Sequence, residues 1–248
     1  MSNNFFKKKI DNILSMPIQY LDHWKFNKKV VSVFQNMLER SVPAYKEIIK
    51  MIGILSNYYV LPYTRIYDLG CSLGTVSLLI QKNIKKKGCQ IIAVDNSKSM
   101  IFFLKSFLNR VNTNIPIKVI ESDICDIDIK NASMVILNFT LQFVNPLYRQ
   151  MLLNKIYTNL NPGGILILSE KIDNNDILFS DLFKKMYRQF KKLNNYSTLE
   201  ILQKEKMLKN ILFSDSISDY KKKLFISGFR NYSVWFQFLN FCSILAIK

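Results

Sequence analysis

The sequence predicts an α/β protein: a mostly parallel seven-stranded sheet with helices on both faces and a helical cover ahead of the first strand. Three observations carry this. Between Arg65 and Ser169, short β-rich runs alternate with helical segments, the order that a parallel sheet with right-handed crossovers produces. The chain closes with NYSVWFQFLNFCSILAIK, two more β-rich runs broken near Leu239 and Asn240, placed to add a hairpin to the sheet edge. No repeat, low-complexity tract or Pro/Gly-rich linker interrupts the 248 residues, which contain only seven glycines and six prolines. One domain is expected, with residues 1–62 as the cover and 63–248 as the sheet core with its C-terminal helices.

Taken in order, the cover reads as two helices, Val30 to Glu39 and Tyr45 to Leu55, broken at Ser41-Val42-Pro43. The core begins with the strand RIYDLG and a helix from Thr75, followed by QIIAVD, a helix from Ser97, and IKVIES. SMVILNF follows, then a helix from Pro146, where Asn145 supplies a capping side chain and the missing proline N–H costs nothing. Asn161-Pro162-Gly163-Gly164 stops that helix before the strand ILILS. Leu178, Leu182, Met186 and Phe190 recur every fourth residue and mark an amphipathic helix. Ser197 with Glu200 forms a capping box that opens another helix, through about Leu212.

Composition excludes several function classes. No window reaches the ~18 uninterrupted apolar residues of a membrane span, and the N-terminus lacks the apolar segment and cleavage site of a secretory signal. A cytoplasmic protein with no membrane partner is expected. Cys71, Cys89, Cys125 and Cys242 form no CxxC pair and His23 is the single histidine, which argues against a zinc site, a disulfide framework or a His-activated nucleophile. The net charge of +17 invites a nucleic-acid reading. However, arginine occurs only at positions 40, 65, 110, 149, 188 and 230, and the lysine runs at 7–9, 85–87 and 221–223 are scattered without interleaved aromatics. Solvated faces are the default reading of such runs.

In an open parallel sheet the ligand lies beyond the carboxyl ends of the strands. Four successive ends carry acidic or amide groups: Asp68 to Gly74, Asp95-Asn96, Asp123-Ile124 and Asn138. Gly70 and Gly74 either permit close backbone approach or simply make a turn. Asp95, 27 residues beyond Asp68, is placed to accept both hydroxyls of a ribose. Asp123 either accepts from an adenine amino group or caps a turn, and Asn138 binds either a ligand or its own turn. A nicotinamide dinucleotide needs its pyrophosphate cradled by backbone, commonly with three glycines, and Ser72 stands where one of them would be. Asp68-x-Gly70-x-Ser72-x-Gly74 with Asp95 favours S-adenosylmethionine instead, whose ammonium needs an acceptor.

These residues, together with FNKKVVSVFQNMLERSVPAY, YDLGCSLG, AVDNS, ESDICDI, ASMVILNFTLQFVNP, LNPGGILILSEK and GFRNYSVWFQFLNF, resemble the carboxy-S-adenosyl-L-methionine synthases of the tRNA wobble-uridine 5-oxyacetic acid pathway. The resemblance covers nearly the whole chain, and RSVPAY and NFTLQF are its most specific parts. It implies a Rossmann-like class I methyltransferase fold that binds S-adenosylmethionine as substrate and its carboxylated form as product, with no metal. Prephenate would donate the carboxylate and leave as phenylpyruvate. The sulfonium acidifies the methyl group, so that a ylide can capture the carbon dioxide released. Carried over by motif, Tyr45 reaches the ligand from the cover, and Gly70, Cys71 and Ser72 hold its amino acid part. Asp95 and Asn96 bind the ribose, Asp123 and Ile124 frame the adenine, and Asn138 lies near the sulfonium. The resemblance also implies a homodimer, and a product passed to a downstream tRNA-modifying enzyme without direct tRNA contact by this chain. The competing readings are an ordinary methyltransferase and a non-catalytic cofactor-binding or RNA-associated protein.

One position departs from the family. Where it has an arginine that pairs with the new carboxylate, LQKEKML has Glu205. By helical spacing Glu205 shares a stripe with Ile201, Leu208 and Leu212 and faces inward, with Lys204 and Lys206 to either side. A carboxylate opposite a carboxylate is repulsive. Three outcomes are open: a lysine takes over, another cation such as Arg40 contributes, or the carboxylated product binds poorly.

Overall fold

The computed structural model describes residues 9–20, 22–111 and 115–248, so Lys7 and Lys8 of the first lysine run lie outside it. Its strands are β1 Arg65–Leu69, β2 Gln90–Asp95, β3 Ile117–Glu121, β4 Ala132–Asn138, β5 Leu160–Lys171, β6 Asn231–Phe238 and β7 Phe241–Ile247. The helices are α1 Lys28–Ser41, α2 Tyr45–Tyr59, α3 Thr75–Asn83, α4 Lys98–Leu108, α5 Pro146–Asn159, α6 Ile177–Leu193, α7 Thr198–Leu208 and α8 Ile217–Ser227. All seven strands form one sheet in the order β3-β2-β1-β4-β5-β7-β6. β1 to β5 pair in parallel, and β7 runs antiparallel between β5 and β6.

The central strands are mostly apolar because helices cover both faces. In β4, Ala132 to Leu137 are all buried. One face packs Tyr67, Leu69, Val135 and Leu137 against Leu152, Leu153 and Ile156 of α5 and Tyr220 and Leu224 of α8. The other packs Ile66, Met134, Ile136 and Ile165 against α2 and α3. Each fully buried aliphatic side chain contributes roughly 1.5–3 kcal/mol. Here α2 differs from the expectation of a pure cover. Ile48 and Ile52 are completely buried in that second layer, and only the start of the helix, at Tyr45, reaches the ligand side.

Local signals explain most boundaries. Ser97 caps α4, Asn145 caps α5 ahead of Pro146, and Ser197 and Glu200 make the reciprocal capping box of α7. Asn161 to Gly164 fall within β5, whose pairing with β4 shifts register there. Three features depart from the sequence reading. α7 ends at Leu208, so Leu212 lies beyond it, after the turn at 209–211. A further helix, α8, is opened by a second capping box at Ser216 and Asp219. A short 3-10 helix at Leu141–Phe143 follows β4. Three members of the apolar stripe of α6 stay exposed, at 81% for Leu178, 47% for Leu182 and 45% for Met186, and only Phe190 near its end packs on the sheet, against Phe238 of β6. Among the described residues, no helix is long and apolar enough to cross a membrane.

Candidate active site

The strand order reverses between β1 and β4, and the crevice at such a switch point is where an open α/β sheet binds its ligand. A cavity of about 950 Å³ opens there, at the upper end of the roughly 300–1,000 Å³ of small-molecule sites. Tyr45, Gly70, Cys71, Ser72, Asp95, Asn96, Asp123, Ile124 and Asn138 all line it, and so does Asp68.

The turn after β1 has few amides left for a ligand. The N–H groups of Gly70 and Cys71 both donate to Val94 O, at 2.8 and 2.9 Å, and Gly74 N donates to Cys71 O at 2.7 Å. Ser72 N donates to Asp95 Oδ2 at 2.9 Å. With these donors consumed and two carboxylates beside them, the turn cannot cradle a pyrophosphate in the way that dinucleotide sites do. Ser72 itself adopts a left-handed conformation, φ 49°, and therefore provides the glycine-like bend despite its side chain. Gly70 is required for packing as well as for its φ of 82°: a Cβ there would meet Thr140 Oγ1 at 2.3 Å.

What the turn offers instead is acceptors. Asp68 Oδ2 takes hydrogen bonds from Ser77 N and Ser77 Oγ, leaving its other oxygen for the cavity. Burial pushes Asp68 up to about 6; the Ser77 bonds oppose the shift and the nearby Asp95 adds to it. Asp95 accepts one backbone N–H on each oxygen, from Ser72 and Ser97, and each oxygen keeps a lone pair for a hydroxyl donor. Asn138 Oδ1 is buried with no partner, so the side chain is not occupied with its own turn. Asp123 Oδ1 accepts from Cys125 N at 2.8 Å, so this residue caps a turn even as it lines the cavity. Burial, with help from Asp68 and Asp95, raises the Cys71 thiol well above its usual range, which removes it as a nucleophile. The open acceptors of this half suit ammonium and hydroxyl donors, and S-adenosylmethionine carries both.

The loop after β4 is fixed from below. Glu170, fully buried at the end of β5, accepts Leu141 N at 2.8 Å and Gln142 N at 2.9 Å. Arg149, also fully buried, bonds Gln142 O, Val144 O and Phe213 O and pairs with Asp215 at 3.0 Å. These contacts hold Asn138 to Phe143 over the cavity.

The family follows from comparison with known proteins. A relative from Photorhabdus laumondii named carboxy-S-adenosyl-L-methionine synthase is 47% identical over 248 residues, 100% of this chain and 98% of the relative. A relative of the same name from Yersinia enterocolitica is 49% identical over 238 residues, 96% of this chain and 90% of the relative. The chain belongs to the carboxy-S-adenosyl-L-methionine synthase family. Residues 66–164 also match the family described as a methyltransferase domain. Solved structures agree on the fold of this synthase-family chain. Human N-acetylserotonin methyltransferase in complex with SAM matches at a TM-score of 0.53 and 18% identity, over 98% of this chain and 63% of that one. The cyclopropane synthase MmaA2 from Mycobacterium tuberculosis matches at 0.55 and 13%, over 75% and 62%.

The far half of the cavity holds Glu205, the position where the resemblance implies an arginine. Glu205 lines it, as the helical spacing predicts, but Arg188 Nη2 binds Glu205 Oε2 at 2.7 Å and Lys191 Nζ binds Oε1 at 3.2 Å. Burial works to raise the Glu205 carboxyl, and these two cations outweigh it and hold it below the usual range. Arg40 is committed elsewhere: it donates to Asp11 O, Asn194 O and Asn195 O and stacks over Tyr196. Lys204 lines the cavity over the Trp24 ring, with burial lowering its pKa well below the lysine range, whereas Lys206 is exposed. Lys171, Tyr187 and Lys191 complete this wall, and sequence reasoning named none of them. Lys171 was within reach of the strand-end rule, because it closes the fifth strand.

Proposed function

We propose that the protein converts S-adenosylmethionine to carboxy-S-adenosyl-L-methionine, taking the carboxylate from prephenate and releasing phenylpyruvate. The single observation that carries this reading is the division of one cavity into two halves of opposite need. The half at Asp68, Asp95 and Asn138 presents carboxylate and amide acceptors with open lone pairs, and the half at Lys171, Lys191 and Lys204 presents lysine side chains. The first suits the ammonium and ribose of S-adenosylmethionine. The second suits a carboxylate, and an ordinary methyl transfer has no use for one beside the sulfonium. Prephenate, with two carboxylates, is chemically matched to that wall, and the names of full-length relatives support the same product. The protein's own groups bind and orient the two substrates, and Glu170 and Arg149 hold the loop that closes over them.

Two further parts of the reading rest on the resemblance. The product serves a separate enzyme that builds 5-oxyacetic acid on a tRNA wobble uridine, and the protein acts as a cytoplasmic homodimer joined through the exposed stripe of α6. Mass spectrometry of ligand released on denaturation tests the central claim. The expected ligand is heavier than S-adenosylmethionine by the mass of carbon dioxide, and the purified protein consumes prephenate. Recovery of S-adenosylmethionine or its demethylated product alone, without prephenate turnover, would mean an ordinary methyltransferase.

A further inference from the structure

Lys171 is the last residue of β5, two positions beyond Ser169, which pairs with Asn138 across the sheet. Its backbone is fixed by a 2.9 Å hydrogen bond from its N–H to Gln142 Oε1. Its ammonium reaches over the ring of Tyr187, 5.3 Å from the centroid, and Lys191 Nζ stands 4.5 Å from the same centroid. All three side chains line the cavity. Lys191 is held by Glu205, and Glu205 is held in turn by Arg188. Among the described residues, no carboxylate stands within ion-pair distance of Lys171; Asp173 and Glu205 act on it only from farther away.

A half-buried ammonium without a counter-ion is costly, and a neighbouring aromatic face offsets only part of that cost. Such a group in a cavity wall signals an anionic ligand. The opposite end, lined by Asp68, Asp95 and Asp123, would repel an anion, so the anionic part of any ligand is driven toward Lys171. Burial also lowers the pKa of Lys171, a shift that a bound carboxylate would reverse.

We propose that Lys171, supported by Lys191 on the ring of Tyr187, is the carboxylate-binding residue of this site. Glu205 serves as an internal carboxylate that occupies Arg188 and Lys191, and Lys204 is turned onto the Trp24 ring and Met37 Sδ, which leaves Lys171 as the cation beside Tyr187 available to a ligand. The inference rests on the proposed carboxyl-transfer function and specifies how the chain achieves it.

Calorimetric titration of the ligand-stripped protein with S-adenosylmethionine and with carboxy-S-adenosyl-L-methionine tests the assignment. The wild-type protein should prefer the carboxylated ligand. Lys171→Met should lose that preference by on the order of 10- to 100-fold, the scale of a charge-assisted hydrogen bond, with affinity for S-adenosylmethionine retained and Lys171→Arg largely restoring the preference. The ligand-free Lys171→Met protein should melt no lower than wild type, because the substitution removes an unpaired buried charge; a purely structural lysine would lower the melting temperature. An unchanged preference in a folded Lys171→Met protein overturns the inference and leaves the function standing. If Lys171→Met does not fold, Lys171→Gln reads the preference in its place: loss of the preference supports the inference and an unchanged preference overturns it. A wild-type protein that neither prefers the carboxylated ligand nor makes it overturns the function and the inference together.

Discussion

Arg188 closes on Glu205 with Nη2 2.7 Å from Oε2 and Nε 3.2 Å from each carboxylate oxygen, tying α6 to α7 at the cavity wall. With Arg188 half exposed, this pair adds less than about 1 kcal/mol to stability. Its larger effect is on ligand choice, because it fixes a negative charge opposite an incoming carboxylate. Glu205→Gln should tighten carboxy-S-adenosyl-L-methionine binding by about 3- to 10-fold, the change expected from one partly exposed charge. Binding of S-adenosylmethionine should stay constant. Glu205→Arg should tighten it further and lower the melting temperature, since it sets a cation beside Arg188 and Lys191. Titrations in which neither variant gains affinity would show that Glu205 does not face the ligand carboxylate.

Gly70 gives a second prediction. Its φ of 82° disfavours any side chain, and a Cβ would come within 2.3 Å of Thr140 Oγ1 and 2.4 Å of Thr140 Cγ2. Gly70→Ala should therefore push the loop that carries Asn138 away from the β1 turn and destabilise the protein by roughly 1–3 kcal/mol. Gly70→Ala combined with Thr140→Ala removes the clash but not the backbone strain, so it should recover part of the loss in thermal melts. Equal melting of the single and double variants would show that Thr140 is not the obstacle.

The sheet was legible from sequence because its signals are local: alternating β-rich and helical segments, Asn145 before Pro146, and the capping box at Ser197. The ligand half of the cavity was legible because strand ends converge wherever the sheet is parallel, so Asp68, Asp95, Asp123 and Asn138 had to meet. α8 escaped notice although Ser216 and Asp219 form a capping box like that of α7, because the lysines at 221–223 read as a charge run. The cationic wall was not legible for a different reason. Lys171, Lys191 and Lys204 lie on β5, α6 and α7, and nothing local distinguishes them from the other lysines of a lysine-rich chain. Only tertiary packing shows that these three turn toward one cavity.

The exposed face of α6 yields a prediction about assembly. Of its 17 residues only Lys191 is fully buried, whereas Ile177 and Leu178 are 77% and 81% exposed. An apolar stripe of that extent marks an interaction surface, and a second copy of the chain is the occupant that the proposed homodimer requires. Leu178→Glu with Leu182→Glu should convert a dimer into a monomer in light scattering without altering the circular dichroism spectrum. A wild-type protein that is already monomeric at micromolar concentration would remove α6 as a dimer face.

The pH dependence of ligand binding follows from Asp68. Its folded pKa is raised from 3.8 to about 6, chiefly by burial, so the ligand-free protein keeps a proton that the unfolded chain releases. The ligand-free protein therefore loses stability as pH rises from about 4 toward 6. A bound ammonium acts in the opposite sense, because it favours the ionised carboxylate. Affinity for S-adenosylmethionine should climb between pH 5 and 7, by at most about tenfold per unit for one linked proton. It should fall again above about pH 8, where the ligand's α-amino group loses its proton. Asp95, also raised by burial, adds to the loss at the acid end, and Asp68→Asn separates the two by removing only the Asp68 contribution. Calorimetric affinities measured from pH 5 to 9 should show a flatter acid limb in Asp68→Asn than in wild type. If the two limbs superimpose, Asp68 does not meet the ammonium, and Asn138 Oδ1, the buried acceptor without a partner, becomes the group to test.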